Sequence, residues 1–353
     1  MNKVFSSKIF IFFAIILLFS ANVKAQNQMQ GNLVKWISIE QADSLFKINP
    51  KPIFIDVYTE WCGWCKKMAA VTFSNKPIAD YLNTNFYPVR FDAEGFDTIK
   101  YQGKTYTNPG GYNQSKHDFA KFILNGRYSF PTIVYIDRNK QINPVPGYME
   151  PLDIEPLLVF FSEDVYVNTN FNDFELLYQF KFSVSYKKKI DELKPEQKLD
   201  TLGVVKWLNP QEAYDASQKN GKPIYFHLYT DWCVSCKIED VVYKNSVVAN
   251  VLNTKYNPVN FNAASQITYN FFGQEFKGNG VNNPHALTYA LLKASFKFPA
   301  DIYITSKGNV INEMHGFVGS TLMESILEYL YDEKYKTVKF EDFLKTFQSK
   351  IKK

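Results

Sequence analysis

The chain has 353 residues, 46% of them hydrophobic and 17% aromatic, which excludes a disordered chain and is enough apolar material for two cores of ordinary domain size. Its formal net charge of +5 is small for that length, and no basic stripe points to a nucleic-acid partner.

The first residues read as an export signal. Lys3 and Lys8 precede an unbroken apolar run from Ile9 to Phe19, and Val23-Lys24-Ala25 supplies a small-residue cleavage site, so removal of residues 1–25 is expected. The run is short for a bilayer span; an uncleaved anchor is the alternative. No cysteine follows it for lipid attachment. Removal takes away Lys3, Lys8 and Lys24 and no acid, leaving 37 basic against 35 acidic residues.

After the signal the elements alternate. Leu33 to Ile37 reads as a short strand, Ser38 to Ile48 as a helix, and the apolar run Ile53 to Tyr58 as a buried strand. Helix follows from Trp64 to Phe73, then a helix with Pro77 in its first turn, then a strand from Phe86 to Phe91. A polar excursion, Gly95 to Lys116, leads to a helix at His117 to Leu124. After Pro131, Ile133 to Ile136 and Gln141 to Gly147 pair across a polar turn, and Pro151 to Phe161 closes the core as a helix. An amphipathic helix, Phe171 to Phe180, is appended. This order predicts a central sheet with helices on both faces.

The whole pattern then recurs. Trp36 and Trp207, Lys51-Pro52 and Lys222-Pro223, Cys62 and Cys233, and Cys65 and Cys236 are each 171 residues apart. Phe130-Pro131 and Phe298-Pro299 are 168 apart, and Gly147 and Gly316 are 169 apart. The second unit's hairpin is expected at Ile302 to Thr305 and Val310 to Met314, with helices at Thr321 to Leu330 and Phe340 to Phe347. The domains are therefore set at 33–183 and 204–353, with 184–203 as a charged linker.

All four cysteines fall in two C-x-x-C motifs, Trp61-Cys62-Gly63-Trp64-Cys65 and Trp232-Cys233-Val234-Ser235-Cys236, each between a strand and a helix. The first sulfur of such a motif sits by the unpaired N–H groups of a helix start, which favour thiolate, so Cys62 and Cys233 are the expected nucleophiles. Cys65 and Cys236 lie one turn on and are the expected resolving thiols. Trp61, Trp64 and Trp232 are expected to shield an exposed sulfur and to bury substrate against it. Two other readings stand: a zinc site shared by both pairs, and purely structural disulfides. Outside the cytosol disulfides persist, so a C-x-x-C pair there needs a partner to hold its redox state.

Both units resemble the thioredoxin superfamily, and the second, over Pro223 to Lys237, resembles the C-terminal domain of a periplasmic reductant, the thiol:disulfide interchange protein DsbD. The resemblance implies an α/β architecture of two tandem thioredoxin-like folds, each with an insertion before a cis-proline and an extra C-terminal helix. It implies that Pro131 and Pro299 are the cis-prolines beside the dithiols, and that Asp56 is the buried acid managing the resolving thiol's proton. The second unit departs here, with His227 in that place; it is either a base, a cation or a hydrogen-bonded core histidine. The two sites are thus expected to differ in reduction potential. His117 and His285, each 14 residues before the proline, read as helix-start packing. The implied activity is reduction or reshuffling of protein disulfides, without cofactor beyond the redox-active disulfides. Partners would be protein thiols and disulfides and an electron donor or acceptor, a membrane redox protein among the candidates; the expected compartment is the bacterial periplasm. An oxidase or isomerase, and a peptide-binding chaperone with structural disulfides, remain as alternatives.

Overall fold

A computed structural model describes residues 33–110, 115–183, 199–280, 283–293 and 295–351. The signal segment, 1–25, and most of the linker, 184–203, lie outside these residues. The chain divides into two compact units, 1–162 and 163–353. Among the described residues, no helix is long and apolar enough to cross a membrane.

In the first unit, helix α1 (Ile39–Ile48) starts at a reciprocal cap: Ser38 Oγ accepts from Gln41 N, and the Gln41 side chain returns to Ser38 N. Strand β1 (Ile53–Tyr58) follows, rich in β-branched and aromatic residues and buried along almost its whole length. Helix α2 (Gly63–Val71) carries the first C-x-x-C, and α3 (Lys76–Asn85) has Pro77 in its first turn, where a missing N–H costs nothing. Strand β2 (Tyr87–Asp92) runs parallel to β1. The excursion holds a short hairpin, β3 (Ile99–Tyr101) with β4 (Lys104–Tyr106), before helix α4 (Asp118–Ile123). Strands β5 (Thr132–Ile136) and β6 (Ile142–Pro146) complete a sheet of order β2-β1-β5-β6, and α5 (Pro151–Ser162) follows.

Alternation along β1 sends Ile53, Ile55 and Val57 into a core shared with α1 and α4. Phe54 points to the other face, among Phe73, Phe86 and Tyr135. Asp56 shares that second face. The expected strand at 33–37 is reduced to a single bridge, Ile37 with Val89, because the backbone before it bonds to a side chain instead. Asn83 Oδ1 accepts from Lys35 N at 2.8 Å, and Asn83 Nδ2 donates to Leu33 O at 2.9 Å.

The second unit opens with residues 163–170 and helix α6 (Phe171–Phe182). The sequence repeat sets this helix with the first domain; its packing is with the second unit, where Phe174 edges onto Phe317 and Lys181 Nζ meets Asp240 at 2.8 Å. Then come α7 (Pro210–Asn220), capped by Asn209 and ended by left-handed Gly221, β7 (Ile224–Tyr229), α8 (Val234–Tyr243) with the second C-x-x-C, α9 (Ser246–Lys255) and β8 (Asn257–Asn262). A hairpin of β9 (Tyr269–Phe271) and β10 (Gln274–Phe276), helix α10 (Ala286–Leu292), strands β11 (Ala300–Ile304) and β12 (Val310–His315), α11 (Ser320–Tyr331) and α12 (Phe340–Thr346) follow. The sheet order β12-β11-β7-β8 is that of the first unit. Asn253 repeats the role of Asn83, bonding Lys206 N and Val204 O at 2.8 Å each.

Candidate functional site

At the first motif Cys62 is the N-cap of α2, and its sulfur accepts from Cys65 N at 3.1 Å. Cys62 and Cys65 form a disulfide and are both buried. The aromatic rim is open: Trp61 is 63% exposed and Trp64 58%. Trp61 is nonetheless held in place. Its Nε1 donates to Glu94 Oε2 at 2.9 Å, its ring meets Phe130 edge-on, and Lys116, paired with Glu94, lies over both rings. Trp64 leans on Tyr148, with Lys67 Nζ 5.0 Å from the one ring and 4.7 Å from the other.

Asp56 stands in the middle of β1, almost fully buried. Arg90, its register neighbour on β2, donates from Nε to Oδ2 at 3.2 Å, and Oδ1 has no hydrogen-bond partner among the described residues. Burial disfavours the charged carboxylate more than Arg90 favours it, and the pKa is pushed up to about 6. Phe130-Pro131 is a cis peptide, and Pro131 O accepts from Gly147 N at 2.9 Å.

The second motif repeats the cap. Cys233 is the N-cap of α8, its sulfur accepts from Cys236 N at 3.1 Å, and the two cysteines are joined as a disulfide. Trp232 is 70% exposed and edges onto Phe298. Phe298-Pro299 is cis, and Pro299 O accepts from Gly316 N at 2.8 Å. The interior behind this site differs from the first. His227 lies opposite Asp301 in the β7–β11 register, with Nδ1 3.1 Å from Asp301 Oδ1 and 2.8 Å from the Tyr243 hydroxyl. Tyr225 donates to the same Asp301 oxygen at 2.7 Å. Glu239, on α8, accepts from Val318 N at 3.0 Å and lies 3.7 Å from His227 Nδ1. Burial, with the charge of Asp301 beside it, pushes the Glu239 pKa well above the ordinary carboxylate range.

Residues 39–162 match the family model described as a thioredoxin-like domain. The first unit belongs to that family. The second repeats its strand order, its cysteine N-cap and its C-x-x-C disulfide, so the chain carries two thioredoxin-like folds in tandem. Among curated relatives, a protein disulfide-isomerase of Datisca glomerata is 34% identical over 108 residues, covering 26% of this chain and 21% of that protein. The thiol:disulfide interchange protein DsbD of Escherichia coli is 25% identical over 136 residues, covering 37% of this chain and 21% of that protein. The chain thus matches about a fifth of the length of each. A solved thioredoxin-fold protein from Helicobacter pylori is 20% identical with a TM-score of 0.30, covering 41% of this chain and 86% of that one.

In each unit the first cysteine caps a helix and the Phe-Pro bond is cis, and Asp56 and His227 stand at corresponding points of β1 and β7. His117 and His285 are helix caps: Nδ1 accepts from Phe119 N and Leu287 N respectively, at 3.0 Å each, while Nε2 meets Asp97 O and Ile267 O. Sequence reasoning missed four acids. Glu94 orients Trp61, Asp301 and Glu239 surround His227, and Glu163 lies on the start of α8. A signal existed for Asp301, which stands two residues after Pro299 where the first unit has Ile133 after Pro131.

Proposed function

We propose that this protein is an exported thiol-disulfide oxidoreductase that reduces or reshuffles disulfides of protein substrates in the periplasm, using Cys62/Cys65 and Cys233/Cys236. The observation that carries the reading is the N-cap: in both units the first sulfur ends the strand-to-helix step and receives the second cysteine's N–H, the position where a thiolate is stabilised. In the forward direction the Cys62 or Cys233 thiolate attacks one sulfur of a substrate disulfide, and the other leaves as thiolate and takes a proton. Cys65 or Cys236 then loses its proton and attacks the mixed disulfide, releasing the second substrate thiol and closing the C-x-x-C bond. Two electrons and two protons pass to the substrate, and a protein dithiol must return them. The constant offset between the motifs, 171 residues, supports reading the units as copies of one domain. The names of the DsbD and disulfide-isomerase relatives fit this chemistry, and the apolar run at Ile9 to Phe19 supports export.

The test is dithiothreitol-driven reduction of insulin by the full chain without residues 1–25. Cys62→Ser with Cys233→Ser should abolish turnover; retained turnover would refute the proposal. Cys65→Ser or Cys236→Ser should trap mixed disulfides with substrate, and a chain that binds peptides but traps none is a binding module instead.

A further inference from the structure

Within the second unit, Glu163 reaches the start of α8. Its Oε1 accepts from Val234 N at 3.1 Å and its Oε2 from Ser235 N at 2.7 Å, so both oxygens act as acceptors, the arrangement of a carboxylate. Oε2 also lies 3.9 Å from Cys233 Sγ. Cys233 Sγ keeps the Cys236 N–H, and Val234 and Ser235 supply the other free N–H groups of the same helix start. They are already occupied by an anion. At the first motif the same helix positions are Gly63 and Trp64, and the acid that stands 169 residues after Glu163 is Asp332, engaged with Lys255 at 3.4 Å.

We propose that Glu163 is a positioning residue that raises the pH at which Cys233 ionises and, where Cys233 is ionised, makes Cys233/Cys236 the more reducing of the two dithiols. Two negative charges about 4 Å apart on one helix start oppose each other, so the carboxylate raises the cost of ionising Cys233. Destabilising the thiolate destabilises the reduced pair relative to the disulfide, and electrons leave it more readily. Glu163 takes no part in the electron count; it changes only the proton equilibrium at Cys233.

The other charged and polar groups around the pair are few. Lys237, on α8, partly offsets the carboxylate, and the Ser235 hydroxyl lies 3.5 Å from Cys233 Sγ. Asp164, next in the chain, lies 3.7 Å from Lys297. His227, Asp301 and Glu239 form their own cluster inside the unit. Burial pushes the Glu163 pKa upward, while the Ser235 and Val234 hydrogen bonds and Lys237 hold it down.

This assignment rests on the oxidoreductase reading, and its test keeps the two apart. In the full chain, Glu163→Gln, which keeps an acceptor for one N–H, and Glu163→Ala are compared with wild type. Iodoacetamide labelling against pH, read on the Cys233 peptide, gives the thiol's midpoint; glutathione equilibration gives each pair's redox equilibrium. Both variants should lower the Cys233 midpoint by about one pH unit or more. With the equilibration run at a pH above both midpoints, they should shift the second pair's equilibrium about tenfold toward the reduced form, roughly 30 mV for a two-electron couple. Cys62/Cys65 in the same molecule should not move, which also reports that the chain is folded. A Cys233 midpoint that stays or rises in both variants, with the pair still reducible, overturns the role of Glu163 alone. A second pair that no dithiol reduces overturns the oxidoreductase reading and this assignment with it.

Discussion

Replacing Asp56 by Asn should stabilise the first unit at neutral pH and leave it unchanged in acid. Asp56 is buried and its pKa is pushed from 3.8 to about 6 by loss of hydration, against the pull of Arg90. A rise of roughly two units corresponds to about 3 kcal/mol at 1.36 kcal/mol per unit. The direction follows from which state holds the proton more tightly. Below pH 3.8 both folded and unfolded chains carry the neutral acid, and its contribution is fully present. As pH rises through about 6, the unfolded chain has already ionised while the folded one must ionise in a dry site, and that contribution is lost. Asparagine carries no charge to desolvate. The gain of Asp56→Asn over wild type should therefore grow from near zero at pH 4 to about 2–3 kcal/mol at pH 8, somewhat reduced by the lost Arg90 bond. Urea unfolding of the oxidised chain measures it, with Trp207→Phe and Trp232→Phe leaving only first-unit tryptophans to report. A difference that is flat between pH 4 and pH 8, or a variant less stable than wild type at pH 8, would refute the reasoning.

In the second unit, Asp301→Asn removes the carboxylate charge beside His227 and leaves a single amide oxygen to accept from Tyr225 and His227, and should cost about 1–3 kcal/mol in urea unfolding; a loss under about 0.5 kcal/mol would mean the cluster is not fully bonded. His117→Ala strips the cap of α4 and the bond to Asp97 O, an expected loss of about 2 kcal/mol, with the glutathione equilibrium of Cys62/Cys65 unmoved. A shifted equilibrium would give His117 a redox role. Trp61→Ala should raise KM for protein disulfides several-fold with little change in kcat, because it removes an exposed contact surface and not the sulfur chemistry. Glu94→Gln, which loosens Trp61 and Lys116, should do the same more weakly, and an unchanged KM in both would remove the rim from the substrate site.

Much of the architecture was legible because it depends on local rules. The apolar run at β1, Pro77 in a first turn and the C-x-x-C at a strand-to-helix step each specify their element from neighbours in the chain. The recurrence of Phe-Pro at a near-constant distance from the cysteines placed both prolines. The excursions were read only as polar surface, although Gln102-Gly103 and Phe272-Gly273, all four at positive φ, are two-residue turns of the kind that close hairpins. The strand expected at 33–37 failed because Asn83, about fifty residues on, takes the backbone bonds a ladder would need. Glu239 and Glu163 were not legible as site residues, because their roles exist only across a helix or at a helix start that no spacing encodes. Asp301 left one signal, an acid two residues after Pro299 where the first unit has Ile133, but its meeting with His227 exists only across strands.

The register pairs Asp56 with Ile133 in the first unit and His227 with Asp301 in the second, so the acid has changed strands and an imidazole has taken its old place. Neither half of that exchange is neutral alone. His227→Asp on the present background would set a third carboxylate against Asp301 and Glu239 in the dry interior, while Asp301→Ile would leave His227 with Tyr243 and Glu239 only and take an acceptor from Tyr225. Even both changes together would not restore the first unit's arrangement, because Glu239 would still stand beside position 227 and its register neighbour on β8 is Asn260 where Asp56 has Arg90. A hybrid built by swapping single positions between the units would therefore reproduce neither interior.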